Sequence, residues 1–415
     1  MSFDIALSGI NAVNTELDSI SNNIANSGTY GFKSTRANFA SMYAGTQPVG
    51  TEIGSLTQSI EQGGSVLSTG RGMDAAIQGR GFFTTRDTSG ATVYTRVGIF
   101  STDKDGYIVD SFGRKAQGYP LPPGTTIPGP LGDLKVPTGQ VAAMPTDTVQ
   151  YVGNLSADWP PRPIGNFDST NPATYNSSMV SVAYDALGVK HTLTQYFCAG
   201  APGSNTVNVA YAFDGAVYGT SVPGPPYVFT PTAPSTLDFN ATGTTSVGQL
   251  NPATAPMSFT FPTTSGAGPL TFKVDYAGST QYAGEAVTTT NNANGYASGV
   301  MTNVQIEKDG AVMALYSNGQ KQSVGKLALA TFANENGLMS VSDTSWTTTN
   351  QSGNALYSTP GVGTAGMLTV GSLEQSNVDV ASELVGLMSA QRNYQANTKV
   401  ISTENQMMQS LMQAV

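Results

Sequence analysis

The chain has 415 residues, of which 18 are Lys or Arg and 27 are Asp or Glu, so 11% are charged and the net charge is −9. That density is less than half the roughly 25% of an average soluble protein, and its sign excludes the basic footprint that nucleic acid or an anionic membrane would need. The single Cys (Cys198) and single His (His191) exclude an internal disulfide, a cysteine-cluster metal site and a multi-histidine centre, so no cofactor is expected, while 39% hydrophobic residues still supply a core. At about 150 residues per domain, two or three domains fit the length. No apolar run reaches the roughly 18 residues that would suggest a bilayer span, so no membrane insertion is expected. Met1-Ser2-Phe3-Asp4 lacks a basic region and a long apolar core, so no cleaved signal peptide is expected.

Along the chain, Phe3, Ala6, Ile10, Val13, Leu17, Ile20 and Ile24 recur in alternating steps of three and four, the seam of a coiled coil. Ser2 and Asp4 suit its start and Gly28 its stop. The period then falls to two. Asp105-Gly106 separates Val97–Phe100 from Tyr107–Val109 as a hairpin turn. Trp159-Pro160-Pro161-Arg162-Pro163 reads as a joint. The stretch from His191 to Phe272 holds no Lys or Arg and only Asp214 and Asp238 as acids. It alternates at Val207, Val209, Tyr211, Phe213 and at Phe259, Phe261, with Pro223, Pro225, Pro226, Pro231 and Pro234 between them. The polar run Thr288–Gly295 closes this middle part. Val304 and Ile306, then Val312, Ala314 and Tyr316, then Val324, Leu327 and Leu329 form strands punctuated by Asp309-Gly310 and Asn318-Gly319.

Ser376 with Asp379 offers a capping box for a last helix whose seam is Val380, Leu384, Leu387, Gln391, Tyr394, Thr398, Ile401, Asn405, Met408, Met412 and Val415. The predicted fold class is multidomain α+β, with paired terminal coiled-coil helices and nested antiparallel sandwich or barrel domains. Residues 1–28 with 376–415 form the helical part and 29–75 with 353–375 an extended linker. A β-rich core spans 76–150 with 301–352, and 151–300 is an inserted outer β domain. Polar Gln391, Thr398 and Asn405 on the seam fix register at a cost in packing. Two readings of the helices stay open: an intramolecular pair closing a globular domain, or rods that order on assembly. The uncharged Asn, Ser, Gln and Thr on their outer faces favour surroundings of protein rather than water.

Four chemical features carry less than they suggest. Gly361-Val362-Gly363-Thr364-Ala365-Gly366 matches a dinucleotide fingerprint, but Pro360 precedes it and a strand-like Met367–Val370 follows where a helix is needed. Asp103-Lys104-Asp105-Gly106 resembles a calcium loop, yet its twelfth position is Phe112, so a hairpin turn is expected. His191 reads as a strand-face histidine and Cys198 as a buried spectator thiol. No catalytic, cofactor or metal residue stands out, and an enzyme is not expected.

The segment Ala25-Asn26-Ser27-Gly28-Thr29-Tyr30-Gly31-Phe32-Lys33 resembles the A-N-x-x-T-x-G-F-K signature of the bacterial flagellar axial proteins, the rod and hook family. Leu7–Ala12 and Ile20–Asn26 resemble the hook type, as do Gly79-Arg80-Gly81-Phe82-Phe83 and Tyr316–Gln320. Asn377-Val378-Asp379, Glu383-Leu384-Val385, Gln391-Arg392-Asn393-Tyr394-Gln395 and Asn397 are similar to that family's C-terminal helix. The likeness covers roughly the first and last 115 residues and not 151–300. One departure is Ser340-Val341-Ser342-Asp343, where relatives often place Gly before the acid.

The resemblance implies an extracellular structural subunit of the hook, exported without a cleaved signal, that polymerises into a curved flexible tube carrying torque from rod to filament. Its implied partners are copies of itself, the rod, the hook cap and the hook–filament junction proteins. Implied packing residues are Phe3, Ile10, Val13, Leu17, Ile20, Ile24, Asn26, Gly31 and Phe32 at one end. At the other they are Asn377, Asp379, Leu384, Leu387, Gln391, Arg392, Tyr394, Ile401 and Met408. A distal rod or other axial protein is the near alternative. A secreted β-rich adhesin or carbohydrate-binding protein is the distant one.

Overall fold

The heptad-like N-terminus forms helix α1 (Ser2–Ala25), and the C-terminal seam forms the longer helix α2 (Val380–Ala414). The computed structural model describes residues 2–44, 46–122, 125, 127–217, 235–241, 246–261 and 266–414. Pro223, Pro225, Pro226, Pro231 and Pro234 lie outside the described residues. The start of α2 departs from the expected Ser376 box. Asp379 is the residue before the first helical turn, and its carboxylate accepts from Ala381 N at 3.0 Å and Ser382 Oγ at 2.9 Å. Those bonds hold the Asp379 carboxyl below the usual carboxylate range, and its charge suits the positive end of the helix.

Residues 29–75 are not an extended linker throughout. Strands β1 (Thr35–Ala44) and β2 (Gln47–Gln58) pair antiparallel from Thr35–Gln58 to Ala44–Gln47, with register shifts after Asn38 and Met42. The ladder satisfies backbone groups that a lone extended segment would leave to water. β2 is seated on α1, where Thr51 N donates to Ser8 Oγ at 3.2 Å. Gly50 has φ +133°, and a Cβ there would fall 2.1 Å from Ser8 Oγ, so only glycine fits.

The chain divides into two compact units, one of residues 1–138, 302–315 and 321–415, the other of residues 139–301 and 316–320. In the first, a thirteen-stranded sheet runs in the order Met301–Ile306, Ala311–Tyr316, Lys321–Leu327, Lys115–Pro120, Phe82–Arg86, Thr92–Thr95, Ser345–Thr347 and Met339–Val341, with five strands off this path. The Asp-Gly turns fall as expected, with Gly106 at φ +85° and Gly310 at φ +79°. Its aromatic core groups Phe82, Tyr94, Phe332 and Trp346, with Phe82 and Trp346 ring centres 5.4 Å apart. Met367–Val370 pairs with Ala75–Gln78, and Ser372–Glu374 pairs with Val66–Ser68, so the chain leading to α2 is tied to the segment following the hairpin.

The second unit is a sandwich. A four-stranded sheet, ordered Met257–Phe261, Leu270–Asp275, Thr148–Asn154 and Val287–Ala293, shares a core with a five-stranded sheet centred on Lys190–Ala199 and Thr206–Phe213. The alternation at Val207, Val209, Tyr211 and Phe213 is all core, as is that at Phe259 and Phe261. One expectation is corrected here: Thr148–Gln150 pairs parallel with Lys273–Asp275. The long connection between those strands passes through the other sheet, which permits a parallel neighbour. A buried hydrogen bond links the two layers, from Tyr276 Oη to Gln195 Oε1 (2.5 Å), and Gln195 Nε2 donates in turn to Ser181 Oγ (2.8 Å) on the neighbouring strand of its own sheet.

Candidate functional site

The two chain ends meet. Gly9 lies against Asn397, Ile20 against Gly386 and Asn23 against Glu383, so α1 and α2 run antiparallel. Small residues permit the approach. A Cβ on Gly9 would come within 2.8 Å of Asn397 Nδ2, and one on Gly386 within 3.5 Å of Ile20 Cδ1. Ala390 is fully buried between Val13 and Ile20, with Leu17, Ile24 and Leu387 packed around them.

Below the helices, a polar knot joins both ends to the β-rich core. Lys33 Nζ donates to Glu374 Oε1 at 2.6 Å and to Gln62 O at 2.8 Å, and all of this pair is buried. Gly64 N also donates to Glu374 Oε1 at 3.1 Å, and Arg96 Nη1 reaches Oε2 at 3.4 Å. Burial pulls the Lys33 ammonium below the usual lysine value, opposed by the Glu374 charge. Gly31 stands at φ +68°, its N–H bonded to Glu374 O at 2.8 Å, and a Cβ there would lie 3.1 Å from the Arg96 carbonyl carbon. Asn377 accepts from Ser34 N (2.7 Å) and donates to Ser59 O (2.9 Å) and Gln62 O (3.1 Å). Asn23 accepts from Thr35 N (2.9 Å) and donates to Thr35 O (2.8 Å) and Glu383 Oε1 (2.9 Å). The signature residues Gly31 and Lys33, with Asn377, therefore fix where each helix leaves the core.

The structure distributes the expected packing residues unevenly. Val13 and Ile20 are buried; Ile10, Leu17, Ile24, Leu387 and Ile401 are half-buried. Asn26 bonds to Asn22 and Thr29, and Phe32 is half-buried. Phe3, Leu384, Gln391, Arg392, Tyr394 and Met408 are exposed. The α2 seam read from sequence is thus displaced. The side turned to α1 runs through Glu383, Gly386, Leu387, Ala390 and Asn397, less than one residue step (about 100°) around the helix. Apolar periodicity marked the large side chains, whereas the contact within the chain uses the small ones.

Sequence reasoning missed Glu374, Arg96, Asn23 and Gly9. Each works through a partner remote in sequence, and only the Lys33 of the signature hinted at a buried acid. An apolar groove of about 600 Å³ opens between α1, α2 and the hairpin, bounded by Ile5, Val13, Phe39, Ala396 and the amides of Asn393 and Asn397.

The other motifs are structural where they stand. Gly361 (φ +76°) and Gly363 (φ +64°) turn the chain into the strand Met367–Val370. Asp103 Oδ1 accepts from Asp105 N (2.9 Å) and Tyr107 N (2.7 Å), which closes its turn. His191 lies on a strand, buried, with Nδ1 2.7 Å from Asp214 and Nε2 3.4 Å from Asp185, its ring stacked on Phe213. Burial pushes the Cys198 thiol up to about 11. Among the described residues no cluster of three His, Cys, Asp or Glu could hold a metal ion, and no helix is long and apolar enough to cross a membrane.

Comparison with known proteins follows the same division. Four family models match: Flagella basal body rod protein over residues 3–33, and Flagellar hook protein FlgE/F/G D1 domain over 76–148. The others are Flagellar basal body protein FlaE D2 domain over 154–296 and Flagellar basal body rod FlgEFG protein C-terminal over 369–414. The flagellar hook protein FlgE of Escherichia coli is 38% identical, covering 99% of both chains. That of Treponema pallidum is 30% identical over 98% of this chain and 97% of its own. A crystal structure of Helicobacter pylori flagellar hook protein FlgE2 superposes with a TM-score of 0.51 at 14% identity, covering 73% of this chain and 98% of that one, and so supports the fold.

Proposed function

This chain belongs to the flagellar hook protein family and is a structural subunit of the hook; from that premise we propose that its copies join through their terminal helices into a tube. The observation that carries this is the side of α2 turned away from α1. Leu384, Val385 and Met388 are exposed there in a single chain. A helix in water normally carries charges on that side. In the tube, these side chains form the coiled-coil seam between neighbouring copies, with Arg392 meeting carbonyls or carboxylates of the next helix.

A curved, rotating joint needs contacts between the β-rich units of neighbouring copies that lengthen and shorten each turn. Their sparse charge gives few ionic locks between sliding faces. The polymer continues the rod at one end and meets the cap and junction proteins at the other, outside the cell. Full-length similarity to hook proteins weighs for the hook over the rod.

Electron microscopy of the purified chain is the test. Tubes are expected from the full chain and none from a version lacking 1–28 and 376–415, whose cooperative melting shows that its core persists. Equal tube formation by the trimmed chain would overturn the proposal.

A further inference from the structure

We infer that the groove between α1, α2 and the β1–β2 hairpin is the seat for the C-terminal turns of α2 from a second copy. This deepens the reading that copies polymerise and rests on it. Antiparallel pairing sets Gly9 against Asn397, so α1 ends its coverage of α2 near residue 404. Beyond that point Met407, Met408, Leu411 and Met412 are 57–77% exposed. On a helix of ~100° per residue, positions i, i+1, i+4 and i+5 make one stripe, and this stripe continues the side of α2 that α1 covers lower down. It is an established contact surface prolonged past its partner.

The groove has the matching character. Ile5, Val13, Phe39 and Ala396 line it, with only amides and a hydroxyl for polarity. Neither its lining nor residues 405–415 carry a charged side chain. Adaptable, unbranched methionines suit a groove of irregular shape. A copy cannot fill its own groove. Ala396 and Leu411 are fifteen residues apart on one continuous helix, or about 22 Å at ~1.5 Å per residue. Two complementary patches at different heights on one molecule give a head-to-tail contact, which does not close on itself and propagates as a filament. The occupant is therefore the same chain, one axial step along.

The test is disulfide trapping in the full chain with Cys198→Ser as background. The pair Phe39→Cys and Met412→Cys, oxidised after assembly, is expected to give a ladder of covalent multimers, and either single cysteine none beyond a dimer. Tubes without a ladder, or a cross-link confined to the monomer, would overturn this inference and leave tube assembly standing. No tubes from the unsubstituted chain would instead overturn the polymer reading itself, and the inference with it. Should the double-cysteine chain misfold, Met408→Glu with Met412→Glu decides the matter. Charge in the stripe should raise the critical concentration for assembly more than tenfold with the monomer's melting unchanged, and an unaltered critical concentration would refute the seat.

Discussion

Glu374 answers two buried cations at once, Lys33 at 2.6 Å and Arg96 at 3.4 Å, and Gly64 N–H completes its shell. Removing one member of such a set leaves the others charged and unmatched in a place water cannot reach. Glu374→Gln should therefore cost about 3–5 kcal/mol in urea unfolding near neutral pH. It should also change the pH response. Burial holds the Lys33 proton less tightly in the folded chain than in the unfolded one, where the usual value is 10.5. Between those two values the unfolded chain binds more protons, so stability rises with pH there and is flat below. Without Glu374 the folded value falls further, and the rise should begin at lower pH, restoring part of the loss by about pH 10. A loss under about 1 kcal/mol, flat across that range, would mean that the pair is neither buried nor charged as described.

Between Met339–Val341 and Ser345–Thr347 the chain reverses with Asp343 at φ +64° and Thr344 at φ +50°. A β-branched residue in the left-handed region is strained, by about 1–3 kcal/mol. Thr344 contributes its carbonyl, which accepts from Thr95 Oγ1 at 3.0 Å, and glycine would keep that bond. After the entropy that glycine loses on folding, Thr344→Gly should stabilise by about 1 kcal/mol and raise the first unit's melting temperature by about 2–4 °C. An unchanged or lower melting temperature in calorimetry would refute the strain. Sequence reasoning found a departure here but placed the missing glycine before Asp343, whereas the left-handed residues are Asp343 itself and Thr344 after it.

The same limit runs through the other elements. Strands joined by Asp-Gly or Asn-Gly could be read because period and turn chemistry are local. The β1–β2 hairpin was not, since Thr35–Ala44 alternates weakly and buries little. Both helices were legible, but the side of α2 facing α1 was misread. Periodicity finds the apolar stripe without saying whether it meets its own chain or another. The Lys33–Glu374–Arg96 knot needs three remote segments to converge, and no spacing rule reports that.

At the scale of the whole molecule, the inserted unit is closed at its base. Val141 pairs with Gly299 and Met144 with Tyr296, so the chain enters and leaves as neighbouring antiparallel segments. Neighbours of that kind stand about 5 Å apart, a gap that a two-residue Asn-Gly turn bridges. Its core, from Val149 to Tyr276, shares no residue with the Phe82–Trp346 core of the first unit. Excising 142–298 and inserting that turn should therefore leave the first unit folded. Asn318 loses its bond to Ala297 O, but Ser317 keeps both bonds to Val300. Calorimetry should show unfolding enthalpy reduced by about 110 kcal/mol, at ~0.7 kcal/mol per residue, with the first unit's transition retained. If the terminal helices carry assembly, the shortened chain should still form tubes. Loss of tubes with that transition intact would mean that contacts of the inserted unit, not the helices, hold the polymer together.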